Sequence, residues 1–459
     1  MEKPIPTENK MGVMPIGKLL ANMAVPMMIS MLVQALYNVV DSIFVARISE
    51  HALTAVSLAF PLQNLMFSVL LGTAVGVNAM VSRALGAKEQ EQADRTACVG
   101  IFLALCSFAV FAVLGVVVTC AFFAFQTDVA EIVDYGTVYS RICLCCSFGV
   151  VLQIMLERLL QSTGRTQIAM VTQLIGAITN IILDPILIFG LLGAPRLEVA
   201  GAAVATVIGQ CTAAAVALVM NLKKNPDLHL RVAYIRWHGP TVRNIYRIGL
   251  PSILMMCIGS VMTFLLNRIL LIFSTTATAV FGAYFKLQSF IFMPIFGLNN
   301  GMVPIIAYNY GAKNRERVRQ TIKLSILTAV CIMAAGTALF ECVPGLLLSL
   351  FDASEHMLAI GVPALRIIGI HFMIAGFCIP AVSVCQAIGN PFYSLIVSVC
   401  RQLVVLIPAA WLLAQSGNLN LVWFAFPIAE VMSLLLCAAF LRRTLRKADA
   451  LMALGPAGG

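Results

Sequence analysis

Charge is scarce in this sequence. Of its 459 residues 11% are charged, where a soluble domain carries about a quarter. That excludes an ordinary water-solvated globule. Histidine is scarce too, with five in the chain. The 14 cysteines come without the paired histidines or second cysteine pair of a zinc site. Most lie in apolar segments, as Cys143, Cys145 and Cys146 do in "RICLCCSFG", where a free thiol behaves as a small hydrophobe. No GxxxxGK[ST] phosphate loop occurs, which removes the usual cradle for ATP. The first 18 residues are polar, with Lys3, Lys10 and Lys18. They lack the charged, apolar, small-residue order of a cleaved signal peptide, so a cytosolic tail is expected.

What the chain has instead is apolar length. It is 60% hydrophobic, with a mean hydropathy of +0.95. A helix needs about 20 apolar residues to cross the hydrocarbon core. Twelve such runs are expected, at 19–45, 54–82, 97–125, 134–160, 166–192, 198–221, 246–273, 278–307, 321–350, 357–386, 392–414 and 419–441. The expected fold is an all-α, polytopic, multi-pass membrane protein.

The few charges are sorted by loop. Basic residues follow the second run (Arg83, Lys88, Arg95), the sixth (Lys223, Lys224, Arg231), the eighth (Lys313, Arg315, Arg317, Arg319) and the twelfth (Arg442, Arg443, Arg446, Lys447). The loop after the third run has Asp128 and Glu131, and the loop after the ninth has Asp352 and Glu355, both without Lys or Arg. Basic loops stay in the cytoplasm. Both termini are therefore expected in the cytosol, with the chain in the inner (plasma) membrane of the cell. The net charge of +10 is a topology signal rather than a nucleic-acid footprint, and no nucleic-acid partner is expected.

The chain also repeats itself. Pro26 and Pro251 are 225 positions apart (251 − 26). The same offset relates Gln63 to Gln288, Gly72 to Gly297, Gly76 to Gly301, and "GAKEQEQ" at 86 to "GAKNRER" at 311. Two six-helix halves of like orientation are expected, at 19–221 and 246–441, with a tail at 1–18, a basic linker at 222–245 and a basic tail at 442–459. Parallel repeats of this kind place a substrate site between the halves near the midplane.

Polar residues inside the runs mark candidate sites. In the first run Gln34, Asn38 and Asp41 share one helix face. In the fifth Gln173, Asn180 and Asp184 do so, and Pro185 follows at once. The sixth adds Thr206 and Gln210. Burial disfavours the ionised form of a carboxylate, and a second carboxylate nearby disfavours joint ionisation. Such a group can bind a proton and release it when water reaches it, which is the chemistry of a coupling site. The alternative is a structural Asp satisfied by Asn and Gln across helices. Lys286, Arg401 and Glu430 lie inside later runs, where mutual charge pairing is expected, with substrate binding or gating as the alternative. Glu157 sits beside Arg158 near the end of the fourth run, either as an ion pair or at a substrate entrance. Gln63, Gln288, Phe292 and Met293 are further candidates for a loosely specific binding wall. His371 reads as a hydrogen-bonded core residue.

"YNVVDSIFVAR", "LERLLQSTGRT", "NIILDPILIFG" and "FKLQSFIFMPIFGLNNG" resemble the multidrug and toxic-compound extrusion (MATE) family, closest to its bacterial MepA-like branch. The resemblance covers nearly the whole chain. It implies a V-shaped, two-lobed transporter of twelve helices, a monomer that is not an enzyme. Its expected work is antiport, with inward H+ or Na+ driving export of lipophilic, mostly cationic drugs and dyes, and membrane lipid as the other expected partner. It further implies a cation-responsive network of Asp41, Asn180 and Asp184, with Thr206 beside them, and Na+ as a possible occupant. No cofactor is implied beyond that ion. The run from Gly249 to Phe273 has no acid, which departs from branches with a sodium site there. The nearest rival is a lipid-linked oligosaccharide flippase of the same superfamily. An intramembrane enzyme and a passive channel are disfavoured, for want of a nucleophile cluster and of a filter segment.

Overall fold

The computed structural model describes residues 9–351 and 354–453. Asp352, counted above in an acidic loop, lies outside the described residues, as do residues 1–8 and 454–459 of the expected tails. Among the described residues every regular element is a helix. Hydrocarbon offers no partner to a backbone N–H or C=O, and a helix satisfies both within its own segment.

In chain order the main helices are α1 (Ile16–Ala46), α2 (Glu50–Gly86), α3 (Gln90–Val117), α4 (Ala130–Cys145), α5 (Phe148–Ser162), α6 (Thr166–Phe189), α7 (Val199–Lys224) and α8 (Gly239–Leu270). There follow α9 (Thr275–Gly311), α10 (Arg315–Cys342), α11 (Glu355–Gly369), α12 (His371–Ile388), α13 (Pro391–Val399), α14 (Ile407–Ala414) and α15 (Ala425–Ala453). Eleven helical stretches are long and apolar enough to cross a membrane, or twelve when α4 and α5, bent by 48°, count as one.

Six expected runs are interrupted: those at 97–125 and 419–441 by a single turn residue, Val118 and Phe424, and four others each for a local reason. The run at 134–160 bends where Cys146 leaves helical geometry (φ −101, ψ 21). Beyond the bend Gly149 lies against α7, so close that a Cβ there would stand 2.6 Å from Cys211 Sγ. The run at 321–350 stops at Cys342, and Pro344, which has no N–H to donate, opens a new short helix at Pro344–Ser349. The run at 357–386 breaks between α11 and α12. There Thr337 Oγ1 donates to the Gly369 carbonyl at 3.1 Å, a side-chain insertion of the kind that interrupts helices. The run at 392–414 carries a π-helical segment, Cys400–Leu406. Pro408 follows it and leaves the carbonyl four residues back without its donor.

The repeat appears in local geometry. Ser49 and Ser274 cap α2 and α9, each accepting from a backbone N–H at 3.0 Å. Lys88 and Lys313, in the two "GAK" loops, both take left-handed conformations (φ 61 and φ 57). Helix caps and loops thus follow the offset read from the sequence.

The described chain forms two compact units. One holds residues up to Lys10 and Ile29–Ile253, and the other holds Met11–Met28 and Leu254 onward. The division therefore falls inside α1 and α8 rather than in the basic linker. In the first unit Gly72 and Gly76 of α2 pack on the opening of α8, where a Cβ on Gly76 would lie 2.4 Å from the Ile245 carbonyl oxygen. In the second unit Gly297 and Gly301 of α9 pack in the same way on Met28 and Ala24 of α1.

Candidate functional site

In the first unit one cluster of buried polar groups lies where α1, α6 and α7 meet. Helices α6 and α7 touch through glycine. A Cβ on Gly176 would stand 2.8 Å from Ala213 Cβ, and one on Gly209 would stand 2.8 Å from the Gly176 carbonyl oxygen. Small residues let helix backbones approach this closely. One turn after Gly176 comes Asn180, and the approach brings it to α7. Its Nδ2 donates to Thr206 Oγ1 and to Asp184 Oδ1, both at 3.3 Å. Pro185 then removes the donor for the Ile181 carbonyl and loosens the helix beside Asp184.

Asp184 is fully buried and Asp41 nearly so. The two lie close enough to interact electrostatically. Three oxygens here are buried without a hydrogen-bond partner among the described residues: Asp41 Oδ1, Asn180 Oδ1 and Asp184 Oδ2. Leaving such atoms unpaired costs about 1–3 kcal/mol each. All three are hard oxygen acceptors, and a proton or a small hard cation such as Na+ satisfies such a set.

Tyrosines complete the surroundings. Tyr37 of α1 comes within hydrogen-bonding reach of Thr206. Tyr139 of α4 receives a long bond from Gln63 Nε2, at 3.5 Å. Both hydroxyls feel the Asp41 charge. Neither tyrosine was singled out from the sequence. Tyr37 carried a signal, since it stands one turn before Asp41. Tyr139 carried none, because its neighbours come from another helix.

The structure thus brings Asp41, Asn180, Asp184 and Thr206 together. Gln34 sits further along α1 and accepts from Gln173 Nε2 at 3.2 Å. Asn38 is exposed and stands outside the buried cluster. Glu157 Oε1 accepts from Gln153 at 3.0 Å and Thr172 at 3.3 Å, while Arg158 donates to Gln161.

In the second unit the expected three-way charge pairing resolves into two parts. Arg401 Nη1 donates to Glu430 Oε2 at 3.2 Å. Lys286 is exposed, with Nζ 5.9 Å from the centre of the Phe351 ring. Phe292 is buried against Phe372, with ring centroids 5.3 Å apart, so it packs the interior. Met293 is half-buried. Gln288 lines a cavity described below. His371 is buried, with Nδ1 2.5 Å from the Ile368 carbonyl oxygen.

A family model described as MatE matches residues 26–186 and 251–412. The chain is 28% identical over 441 residues to the multidrug export protein MepA of Staphylococcus haemolyticus strain JCSC1435, covering 94% of each chain. It is 26% identical over 433 residues to the FAD transporter of Shewanella oneidensis strain MR-1, covering 92% of this chain and 94% of that one. Among solved structures it superposes on a MATE transporter in complex with MaL6 with a TM-score of 0.90 and 25% identity, over 97% of this chain and 100% of the other. An outward-facing MATE transporter of the MOP superfamily gives a TM-score of 0.89 at 24% identity, over 98% and 100%, a likeness of fold.

Proposed function

The chain belongs to the MatE family of membrane transporters, and from that membership we propose that it exports lipophilic, mostly cationic drugs by antiport with an inward ion, H+ or Na+. The observation that carries the reading is the set of three buried oxygens without donors at Asp41, Asn180 and Asp184. A binding site for a positive ion has this form, and it lies on helices that Pro185 and the glycine contacts leave able to shift. A proton or Na+ on these oxygens relieves their unmet bonding. Release of the ion restores the strain. Two arrangements of the unit then differ in ion occupancy, which is what coupling requires.

The driving force suffices. One charge moving through about 100 mV supplies about 2.3 kcal/mol, and one pH unit adds about 1.4 kcal/mol. Together they sustain a ratio of several hundred at most when one net charge moves, as for a neutral drug exchanged one-for-one, about 1.4 kcal/mol accounting for each factor of ten. One-for-one exchange of a monocation is electroneutral and draws about tenfold from the pH unit alone. The similarity to MepA proteins supports drug as the cargo. The similarity to a FAD transporter concerns an anion. The acidic character of the site at Asp41 and Asp184 favours the cationic class here. The protein acts as a monomer in the inner membrane, with both termini cytosolic as the basic loops require.

The test is ethidium export from proteoliposomes with the proton and sodium gradients imposed separately. Export under at least one gradient, and none without, is expected. Lipid-linked oligosaccharide flipping with no ethidium export would overturn the reading in favour of the flippase.

A further inference from the structure

The second unit has a polar cavity that ion coupling at Asp41 and Asp184 leaves unused. It measures about 60 Å³, and Tyr284, Gln288, His371, Arg401, Gln402 and Glu430 supply its polar lining. Its walls are aromatic. Tyr284 and Phe281 stack at 5.9 Å between centroids, Tyr284 meets Phe426 edge-on at 5.7 Å, and His371 stacks on Phe426 at 5.9 Å.

Two buried polar atoms in this cavity lack a hydrogen-bond partner among the described residues. Glu430 is buried, yet its Oε1 has no hydrogen-bond partner, and neither has the buried Tyr284 hydroxyl. A carbonyl oxygen only accepts, so the Nδ1 of His371 donates to Ile368. In the neutral form of the ring Nε2 is then one more acceptor. A carboxylate oxygen without a donor, facing aromatic rings, describes a seat for an organic cation.

That seat is already held by a cation of the chain itself. Arg401 reaches Glu430 through one bond of 3.2 Å, although a guanidinium has five N–H groups and favours two parallel bonds to a carboxylate. Its side chain is 31% exposed, against 3% for Glu430. Arg401 stands on the π-helical segment, an irregularity common at functional sites. The cavity has room for a few waters, well short of a drug-sized pocket. An incoming cation therefore reaches Glu430 by taking the place of Arg401. Exchange of one cation for another keeps the net charge of the seat unchanged, whereas adding one beside Arg401 leaves an uncompensated charge.

We infer that Glu430 is a second recognition site for aryl amidinium and ammonium cations, held closed by Arg401 as a tethered competitor. The inference rests on the transport reading for its purpose and names the substrate class of this seat. Displacement of Arg401 then accompanies substrate binding, and compounds too weak to displace it are refused.

The test is calorimetric titration of the full-length protein in detergent with benzamidine, which carries an amidinium on one ring, without any ion gradient. Wild type binds weakly. R401Q, which removes the competitor, binds about tenfold tighter. E430Q shows no saturable binding. The double variant R401Q/E430Q, which leaves no unpaired charge, also shows none. Thermal unfolding checks that each variant is folded. Should R401Q not fold, Arg401→Lys serves, since a single ammonium competes less well, and a gain of about threefold is expected. Folded R401Q or R401K that binds no tighter than wild type overturns the competitor role, and retained binding in E430Q or the double variant overturns the site. The binding arms need no transport. A protein that binds as described but exports nothing loses the transport reading and keeps the site, and the converse result removes the site alone.

Discussion

Gly176 of α6 and Gly209 of α7 pack so closely that a Cβ on Gly209 would stand 2.8 Å from the Gly176 carbonyl oxygen. This contact sets the distance at which Asn180, one turn along, finds Thr206. Replacing Gly209 with valine forces the helices apart, and overpacking of this kind costs about 1–3 kcal/mol. The expected outcome is a lower unfolding temperature together with slower ethidium export. Unchanged values for both would show that α6 and α7 accept a wider spacing.

Thr206 supplies one of the two acceptors for Asn180 Nδ2. Thr206→Val keeps the shape and deletes the hydroxyl, leaving the amide with Asp184 alone. A loss of about 1 kcal/mol is expected, read as a fewfold fall in export at half-saturating ion. Thr206→Ser restores the acceptor and should restore the rate. Equal rates in the two variants would assign Thr206 to packing.

Asp41 and Asn38 lie three residues apart on α1, yet Asp41 is buried while Asn38 is exposed. Asp41→Asn is expected to lower export at least about a hundredfold, as loss of an essential charged group worth about 3 kcal/mol or more does. Protein still reaches the membrane. Asn38→Ala is expected to stay within about twofold, the range of exposed substitutions. Similar losses in both would show that the whole polar face of α1 acts together.

Arg317 is a structural counterpart outside the site. It donates to Asn309 Oδ1 at 3.0 Å and to the Met11 and Met14 carbonyls at 3.0 and 2.7 Å. These bonds hold the segment before α1 to the second unit. Arg317→Ala should cost about 2 kcal/mol, typical of hydrogen bonds to a charged group, and should speed limited proteolysis between residues 9 and 16. Cleavage at the wild-type rate would show that Asn309, which also donates to Met11, is enough.

Much of this was legible in the sequence because lipid makes polarity informative. An Asp, Asn or Thr in an apolar run has to find a partner, so Asp41, Asn180, Asp184 and Thr206 stood out. The repeat was legible because "GAK" loops and helix-packing glycines tolerate few substitutes. Azimuth was harder. At about 100° per residue, Tyr37 lies about 40° from Asp41 and Asn38 about 60°, so the apolar-looking tyrosine joins the cluster and the amide does not. Hydropathy was blind to the Thr337 insertion and to the π-helical segment, since both depend on backbone bonding. It also grouped Lys286, Arg401 and Glu430 together and could not choose between Lys286 and Arg401 as the partner of Glu430. That choice depends on which helix each side chain faces after packing.

The most direct measurement is difference infrared spectroscopy of purified wild type, Asp41→Asn and Asp184→Asn as pH is stepped and, separately, as Na+ is added. In wild type a carboxyl band is expected to appear on acidification, or a carboxylate band to shift with Na+, and each substitution should remove or displace it. Spectra that are the same in all three proteins under both challenges would contradict an ion seat at Asp41 and Asp184.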